Sequence, residues 1–217
     1  MSSVPVRCFA IGDIHGHSKA LASLLQLLTE NEKMRDSDLL IFLGDYVDRG
    51  PDDLGVLEMV KTLSQNRPNT VALLGNHDSW RTSGTVPPEM ALWLRQLPRY
   101  YRWKNYFFSH APVYRFPNSE LLDRLERRHS GEFSTFDEAV KLGYDFLNAF
   151  QGFSSEDLLK EEGVIGVCGH VYHHEKVVIF PEHYISVDSG AGFGGLLSAI
   201  VLPEISVISV TEAGVPV

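Results

Sequence analysis

No stretch of this chain stays apolar for the roughly 18 residues that a membrane-spanning helix needs, so association with a membrane is not expected. Cysteine is scarce. The two present, Cys8 and Cys168, each sit inside a strand-like run and read as buried thiols, not as a disulfide or a catalytic pair. Positive charge is in deficit: 19 Lys and Arg stand against 28 Asp and Glu, a formal net charge of −9. That balance argues against general nucleic-acid binding through a basic surface. Internal repeats and low-complexity linkers are missing too. Met1 to Pro5 carries no apolar leader region before the first strand-like run, and a reducing cytoplasm is the expected compartment. What is present is 217 residues of 44% hydrophobic composition, expected to form one domain over 1–217 with a substantial core. Oligomeric state is left open.

The chain is organised around Gly44-Asp45-Tyr46-Val47-Asp48-Arg49-Gly50-Pro51. It follows Leu39 to Leu43, an apolar run of the kind a buried strand makes. Asp45 is the first polar side chain after that run. A carboxylate leaving an apolar strand is costly to desolvate and calls for a cationic partner. A metal ion suits that need, and the planar fork of Arg49 suits a phosphate.

The neighbouring segments repeat the pattern. Val6 to Ile11 reads as a strand ending in Gly12-Asp13-Ile14-His15-Gly16. Ser18 is then placed to cap a helix whose stripe is Leu21, Leu24, Leu25 and Leu28. After the central loop comes a helix with Leu54, Leu57, Val60 and Leu63. Thr70 to Leu74 forms a third strand, ending in Gly75-Asn76-His77-Asp78. Asp13 to Asp45 is 32 residues and Asp45 to Asn76 is 31, each about one strand–helix–strand unit. Right-handed units of this kind bring all three loops to the carboxyl edge of one parallel sheet.

Further on, Pro88 to Leu97 reads as a helix. Tyr100 to Trp103 and Tyr106 to Ser109 form a hairpin turning at Lys104-Asn105, whose second arm delivers His110. A mainly helical segment is expected at about 114–162, with Leu121, Leu122 and Leu125 on one face and a capping box at Thr135 and Glu138. Val164 to Cys168 is a strand ending in Gly169-His170. Strand-like runs at Lys176 to Phe180, Tyr184 to Val187, Leu196 to Leu202 and Ile205 to Val210 complete the chain. The expected fold class is α/β: a four-layer α/β/β/α sandwich of two mixed sheets.

Seven polar residues gather at strand ends: Asp13, His15, Asp45, Asn76, His77, His110 and His170. Hard oxygen donors mixed with imidazoles suit manganese, iron or zinc. Six ligands serve two ions only if one carboxylate bridges, and Asp45, from the middle loop, is the natural bridge.

Taken together, Gly-Asp-Ile-His-Gly (12–16), Gly-Asp-Tyr-Val-Asp-Arg-Gly (44–50), Gly-Asn-His-Asp (75–78), Ser-His-Ala (109–111) and Gly-His (169–170) resemble the calcineurin-like metallophosphoesterases. The compact bacterial and phage serine/threonine protein phosphatases are the most similar branch. Val187-Asp188-Ser189-Gly190 resembles that family's last active-site loop. The resemblance implies that Asp13, His15 and Asp45 bind one divalent ion. Asp45, Asn76, His110 and His170 would bind the second, with manganese the first expectation and iron or zinc the others. His77 would be the general acid, Asp48 the carboxylate that orients it, and Arg49 a phosphate clamp, with Asn76 also contacting the phosphate. Two such ions can share a hydroxide and polarise the phosphoryl group for in-line attack.

Several positions depart from the branch. Tyr172 stands where many wider relatives carry a second histidine, as it does in the protein phosphatases. Leu74 stands where the protein phosphatases have arginine, Asp78 where they have glutamate, and Ala111-Pro112 where Ala-Gly is common. Their second phosphate-binding arginine has no counterpart in 130–169, which leaves Arg115 as a candidate replacement. His173 and His174 read as solvent-facing. Arg124, Arg127 and Arg128 read as a solvated helix face, with Glu120–Arg124 and Asp123–Arg127 as i,i+4 pairs. Gly190-x-Gly192-x-x-Gly195 matches a dinucleotide fingerprint only in letters, because a strand follows it and not a helix. The first functional expectation is a serine/threonine protein phosphatase acting on a phosphorylated protein or small phosphoester. The alternative is a symmetrical dinucleoside tetraphosphate hydrolase. A third reading, a non-catalytic metal-binding scaffold, sits poorly with a sequence that fills every ligand and acid position.

Overall fold

A computed structural model of the chain describes residues 5–80, 86–116, 132–148 and 154–217. The first half alternates strand and helix: β1 (Cys8–Ile11), α1 (Ser18–Glu30), β2 (Leu39–Phe42), α2 (Asp53–Asn66), β3 (Thr70–Ala72) and α3 (Asn76–Trp80). Helix α4 (Pro88–Leu94) and the hairpin β4 (Tyr100–Trp103) and β5 (Tyr106–Ser109) follow. After α5 (Phe136–Lys141) come β6 (Ile165–Cys168), β7 (Val178–Phe180), β8 (Tyr184–Ser186), β9 (Leu196–Leu202) and β10 (Ser206–Thr211).

The strands form two five-stranded sheets, ordered β10-β9-β1-β2-β3 and β4-β5-β6-β8-β7. Both are mixed. β1, β2 and β3 run parallel in the first, and β5, β6 and β8 run parallel in the second. Antiparallel neighbours β9 and β10, or β4 and β7, complete each sheet.

Successive side chains on a strand face opposite ways, and here each face has its own apolar layer. Phe9, Ile11, Leu40 and Phe42 pack towards α1 and α2 with Leu21, Leu24, Val56 and Leu57. The alternating Cys8, Ala10, Leu39 and Ile41 meet Tyr106, Phe108, Val167 and Ile185 between the sheets. On the far side of the second sheet, Phe107, Cys168 and Tyr184 pack with Phe136, Ala139 and Tyr144. Three apolar layers separate four structural layers, the α/β/β/α sandwich expected. Fully burying a side chain such as Phe9 or Phe42 contributes about 1.5–3 kcal/mol.

Local details differ from the sequence reading. Ser18 is the first helical residue, not the cap; His17 stands at the cap without a side-chain cap bond, and the Ser18 hydroxyl donates to Asp52. Asp52 itself caps α2 by accepting from Gly55 N. Leu54 is 41% exposed, and Val56 takes its expected place in the core because the buried stripe of α2 begins two residues later. Helix α4 stops at Leu94; Leu97 continues only a tighter i→i+3 turn to Leu94 O. Of the 114–162 segment, the described part holds α5 and a single 3₁₀ turn at Ser155–Asp157. Thr135 caps α5 by accepting from Glu138 N. The amphipathic face at Leu121, Leu122 and Leu125, and the pairs around Arg124, Arg127 and Arg128, lie outside the described residues. Cys8 and Cys168 are buried free thiols. Among the described residues no helix is long and apolar enough to cross a membrane.

Candidate metal centre

The parallel strands of both sheets deliver their carboxyl ends to one place. Asp13 and His15 follow β1, Asp45 follows β2, Asn76 opens α3 beyond β3, His110 follows β5 and His170 follows β6. The turns are tight. His15, Asp45, Asp48, Arg49 and His170 all have positive φ, between 46° and 79°, a concentration of strained backbone of the kind that functional sites retain. Gly44 (φ 104°) has no room for a side chain: a Cβ would lie 2.7 Å from Gly75 N and 2.9 Å from His110 Nδ1. Loop two therefore presses against loop three and β5.

Asp78 ties these loops together. Its buried carboxylate accepts from Asp45 N and Tyr46 N at 2.8 Å and from Gly75 N at 2.9 Å. The sequence offered only the motif position as a signal for this residue. Asp188, after β8, is likewise buried and accepts from Gly190 N. Its charge bears on both Asp13 and Asp45.

Two donor clusters share Asp45. One comprises His15, Asp45 and His77, the other Asp45, His110 and His170, and the donor atoms within each lie within 4.8 Å of one another. Asp13 adjoins the first, with Oδ2 4.0 Å from His15 Nε2. Asn76 joins the second, its Oδ1 2.7 Å from His110 Nε2 and 2.9 Å from His170 Nδ1.

The chemistry of this donor set fits a pair of cations. His110 Nδ1 lies 2.9 Å from Leu43 O, so that nitrogen carries the hydrogen and Nε2 presents a lone pair. That lone pair faces the acceptor oxygen of Asn76. His15 is arranged the same way, Nδ1 on Val47 O at 3.0 Å and Nε2 towards Asp45 Oδ2 at 3.5 Å. A backbone carbonyl that fixes the tautomer is the usual outer support of a metal-ligating histidine. Lone pairs aimed at one another need a positive charge between them.

Electrostatics agree. Burial, then the neighbouring Asp188 and Asp45 carboxylates, pushes Asp13 well above the ordinary carboxylate range. Burial, then Asp78, does the same to Asp45. Burial drives His15 down to about 3, with Arg49 adding to it, and His170 down to about 4, with His77 adding to it. The imidazoles are thus neutral, the form that ligates. The carboxylates crowd together in a way that divalent ions would relieve.

His77 stands at the lip. Its backbone N–H donates to Asp45 Oδ1 at 2.9 Å, and its Nδ1 lies 2.8 Å from Asp48 Oδ2. Nε2 faces inwards, 3.3 Å from Arg49 Nη2 and 3.9 Å from Asp45 Oδ2. Arg49 is exposed, with its guanidinium carbon 4.0 Å over the Phe193 ring. Sequence reasoning missed Phe193, whose only signal was the glycine-rich run around it.

The candidate replacement clamp has acidic partners of its own. Arg115 is engaged by Glu132 at 3.5 Å and Asp157 at 3.6 Å. His173 is not solvent-facing: it is half-buried and lines a separate cavity of about 200 Å³ with Tyr114, Cys168 and Tyr184. His174 is exposed, as expected, and lies against Tyr172. Of the fingerprint-like glycines, Gly190 precedes a three-residue 3₁₀ turn, Gly192 lies within it and Gly195 follows it into β9, so no helix end faces a pyrophosphate.

A two-sheet sandwich with Asp and His clusters at its apposed carboxyl edges defines the metallophosphoesterase class. The chain belongs to the calcineurin-like phosphoesterase family, whose description matches residues 6–193. Among curated proteins it is similar to a symmetrical bis(5'-nucleosyl)-tetraphosphatase of Legionella pneumophila, strain Lens. There the identity is 47% over 70 residues, covering 32% of this chain and 23% of that protein. It is also similar to serine/threonine-protein phosphatase 2 of Escherichia coli K12, 35% identical over 86 residues, covering 40% of this chain and 36% of that protein. The chain thus matches less than half the length of these relatives. Among solved structures, one assigned as a candidate diadenosine tetraphosphatase aligns over 97% of this chain and 96% of its own, with a TM-score of 0.63 and 24% identity.

Proposed function

We propose that this chain hydrolyses phosphomonoesters at a two-metal centre, with phosphoserine and phosphothreonine proteins as its substrate class. The observation that carries the reading is the 2.8 Å contact between His77 Nδ1 and Asp48 at the lip of the centre. A departing serine or threonine alkoxide is a strong base and needs a proton as its bond to phosphorus breaks. A departing nucleotide phosphate is a far weaker base and gains little from an acid. A carboxylate-held imidazole is matched to the first.

Asp13, His15 and Asp45 would hold one divalent ion and Asp45, Asn76, His110 and His170 the other. Bound there, the ions supply charge neutralisation and an acidified water, and manganese suits this oxygen-and-imidazole set. The Asn76 amide is left to face the phosphate. Arg49 offers its planar donors to two phosphoryl oxygens. In the structure one of those donors lies 3.3 Å from His77 Nε2. Anionic phosphoryl oxygens are stronger acceptors than a neutral imidazole, so a bound phosphate draws the guanidinium away and leaves Nε2 available to carry a proton. That proton passes from Nε2 to the leaving alkoxide oxygen, while Asp48 on Nδ1 holds the tautomer and stabilises the imidazolium until transfer.

A second reading, symmetrical cleavage of dinucleoside tetraphosphates, draws support from the 47% identical stretch shared with the Legionella protein. Manganese-loaded protein assayed side by side on a phosphoserine peptide and on diadenosine tetraphosphate separates the two. The expected result is a higher kcat/KM on the peptide, whose alkoxide leaving group needs the proton that a general acid supplies. The reverse ratio would replace the first reading by the second, and no turnover on either would overturn both.

A further inference from the structure

We propose that Phe193 is a positioning residue for Arg49, a role that rests on the phosphate-clamp reading above. Phe193 lies in the 3₁₀ turn between Gly190 and Gly194. The ring of an aromatic residue 58% exposed faces the one group whose aim matters most for phosphate binding: the Arg49 guanidinium carbon sits 4.0 Å over its centroid. Tyr172 stacks on the same ring, with centroids 5.2 Å apart and planes 22° apart. Tyr172 is held in turn against bare backbone, since a Cβ on Gly190 would come within 2.2 Å of its ring. Gly190, Tyr172, Phe193 and Arg49 therefore form one continuous stack leading to the metal centre. A Cβ on Gly192 would likewise lie 2.6 Å from the His15 ring and 2.8 Å from Arg49 Cδ, so the turn is closed down on both.

The physical advantage lies in which part of the guanidinium is used. A carboxylate partner would occupy the in-plane N–H donors that a phosphate needs. An aromatic face attracts the cation through its quadrupole and touches only the flat of the group. The donors stay in the plane, with one of them resting 3.3 Å from His77 Nε2 until a phosphate takes it. Arg49 also lies on a positive-φ backbone at 79°, so its side-chain direction is unusual and gains from an external support.

The test is a double-mutant cycle read by calorimetric binding of inorganic phosphate to the manganese-loaded protein, with KM and kcat on p-nitrophenyl phosphate alongside. Phe193→Ala should weaken phosphate binding and raise KM by about three- to tenfold, the range of a partly exposed cation–π contact, with kcat changed less. Phe193→Trp should restore binding, whereas Phe193→Leu, which keeps apolar bulk without the quadrupole, should resemble Ala. In an Arg49→Ala background, Phe193→Ala should add nothing. Additive losses, with Arg49→Ala itself impaired, would overturn the coupling and leave the clamp standing. An Arg49→Ala protein that binds phosphate normally would remove the clamp and the coupling with it. Should Phe193→Ala fail to fold, the Trp and Leu pair decides, and equal phosphate affinity for those two overturns the proposal.

Discussion

His77 is held by Asp48 at 2.8 Å on one ring nitrogen while its other nitrogen looks into the metal centre, 3.9 Å from Asp45. An imidazole so placed could serve as a ligand or as a proton donor, and the two roles leave different traces. As a donor, its worth depends on how badly the leaving oxygen needs a proton. His77→Asn should lose roughly 10²–10⁴-fold on a phosphoserine peptide, noticeably less on p-nitrophenyl phosphate, and keep both ions. Asp48→Asn should show the same dependence in weaker form. Equal losses on both substrates would reassign His77 to phosphate positioning, and lost metal in elemental analysis would make it a ligand.

Asp45 belongs to both donor clusters, so Asp45→Asn should lower bound manganese and activity more than His15→Ala. Asparagine tolerates the positive φ of 53° at this position about as well as aspartate, which keeps the backbone cost small. The charge cluster that raises Asp45 is relieved at the same time. The chelated variant should therefore melt at or above the chelated parent, yet gain less on adding manganese. A variant with full metal-induced stabilisation would remove Asp45 from the bridging position.

Metal uptake should be proton-linked with a definite sign. Asp13 is pushed up by burial and then by the charges of Asp188 and Asp45, and Asp45 by burial and then by Asp78, so in metal-free protein they retain protons at a pH where free aspartate has lost them. Binding must expel those protons, and affinity should fall as the pH is lowered. His15 and His170, held down to about 3 and 4, stay neutral until the pH approaches those values and add no slope above them. Calorimetric titration with manganese in buffers of different ionisation enthalpy counts the released protons. Zero release would contradict the carboxylate assignment.

If Arg49 forks onto two phosphoryl oxygens, Arg49→Lys keeps the charge but loses the paired geometry. kcat/KM should drop by a factor equivalent to about 1–3 kcal/mol, the scale of a charge-assisted hydrogen bond. Unchanged kinetics would reduce Arg49 to a surface cation.

Asp78 gathers three loop amides at 2.8–2.9 Å in a buried position. Removing it leaves those N–H groups without their acceptor, each a cost of about 1–3 kcal/mol. Asp78→Ala should lower the thermal midpoint steeply and reduce metal content, because the amide of Asp45 is among the three. A variant as stable as the parent would mean that water or a neighbour replaces the carboxylate.

The sequence by itself determined the sandwich and which strand ends gather at the candidate centre, for reasons that are local or topological. Apolar runs ending in Gly-Asp and Gly-Asn turns marked the strands, and the packed sheets then put Phe9 and Ile11 on one face of β1 and Cys8 and Ala10 on the other. Two strand–helix–strand spacings sent Asp13, Asp45 and Asn76 to one sheet edge, because right-handed crossovers leave no other arrangement. Tertiary structure alone decided which distant side chains meet. Ser18 looks like a cap until Asp52, from another loop, takes its hydroxyl. Arg115 looks available until Glu132 and Asp157 engage it. Phe193 carries no functional signal until Arg49 and Tyr172 are seen on its ring. Period and chirality act between neighbours in sequence, whereas an ion pair or a stacked ring depends on distances that exist only once both sheets have packed.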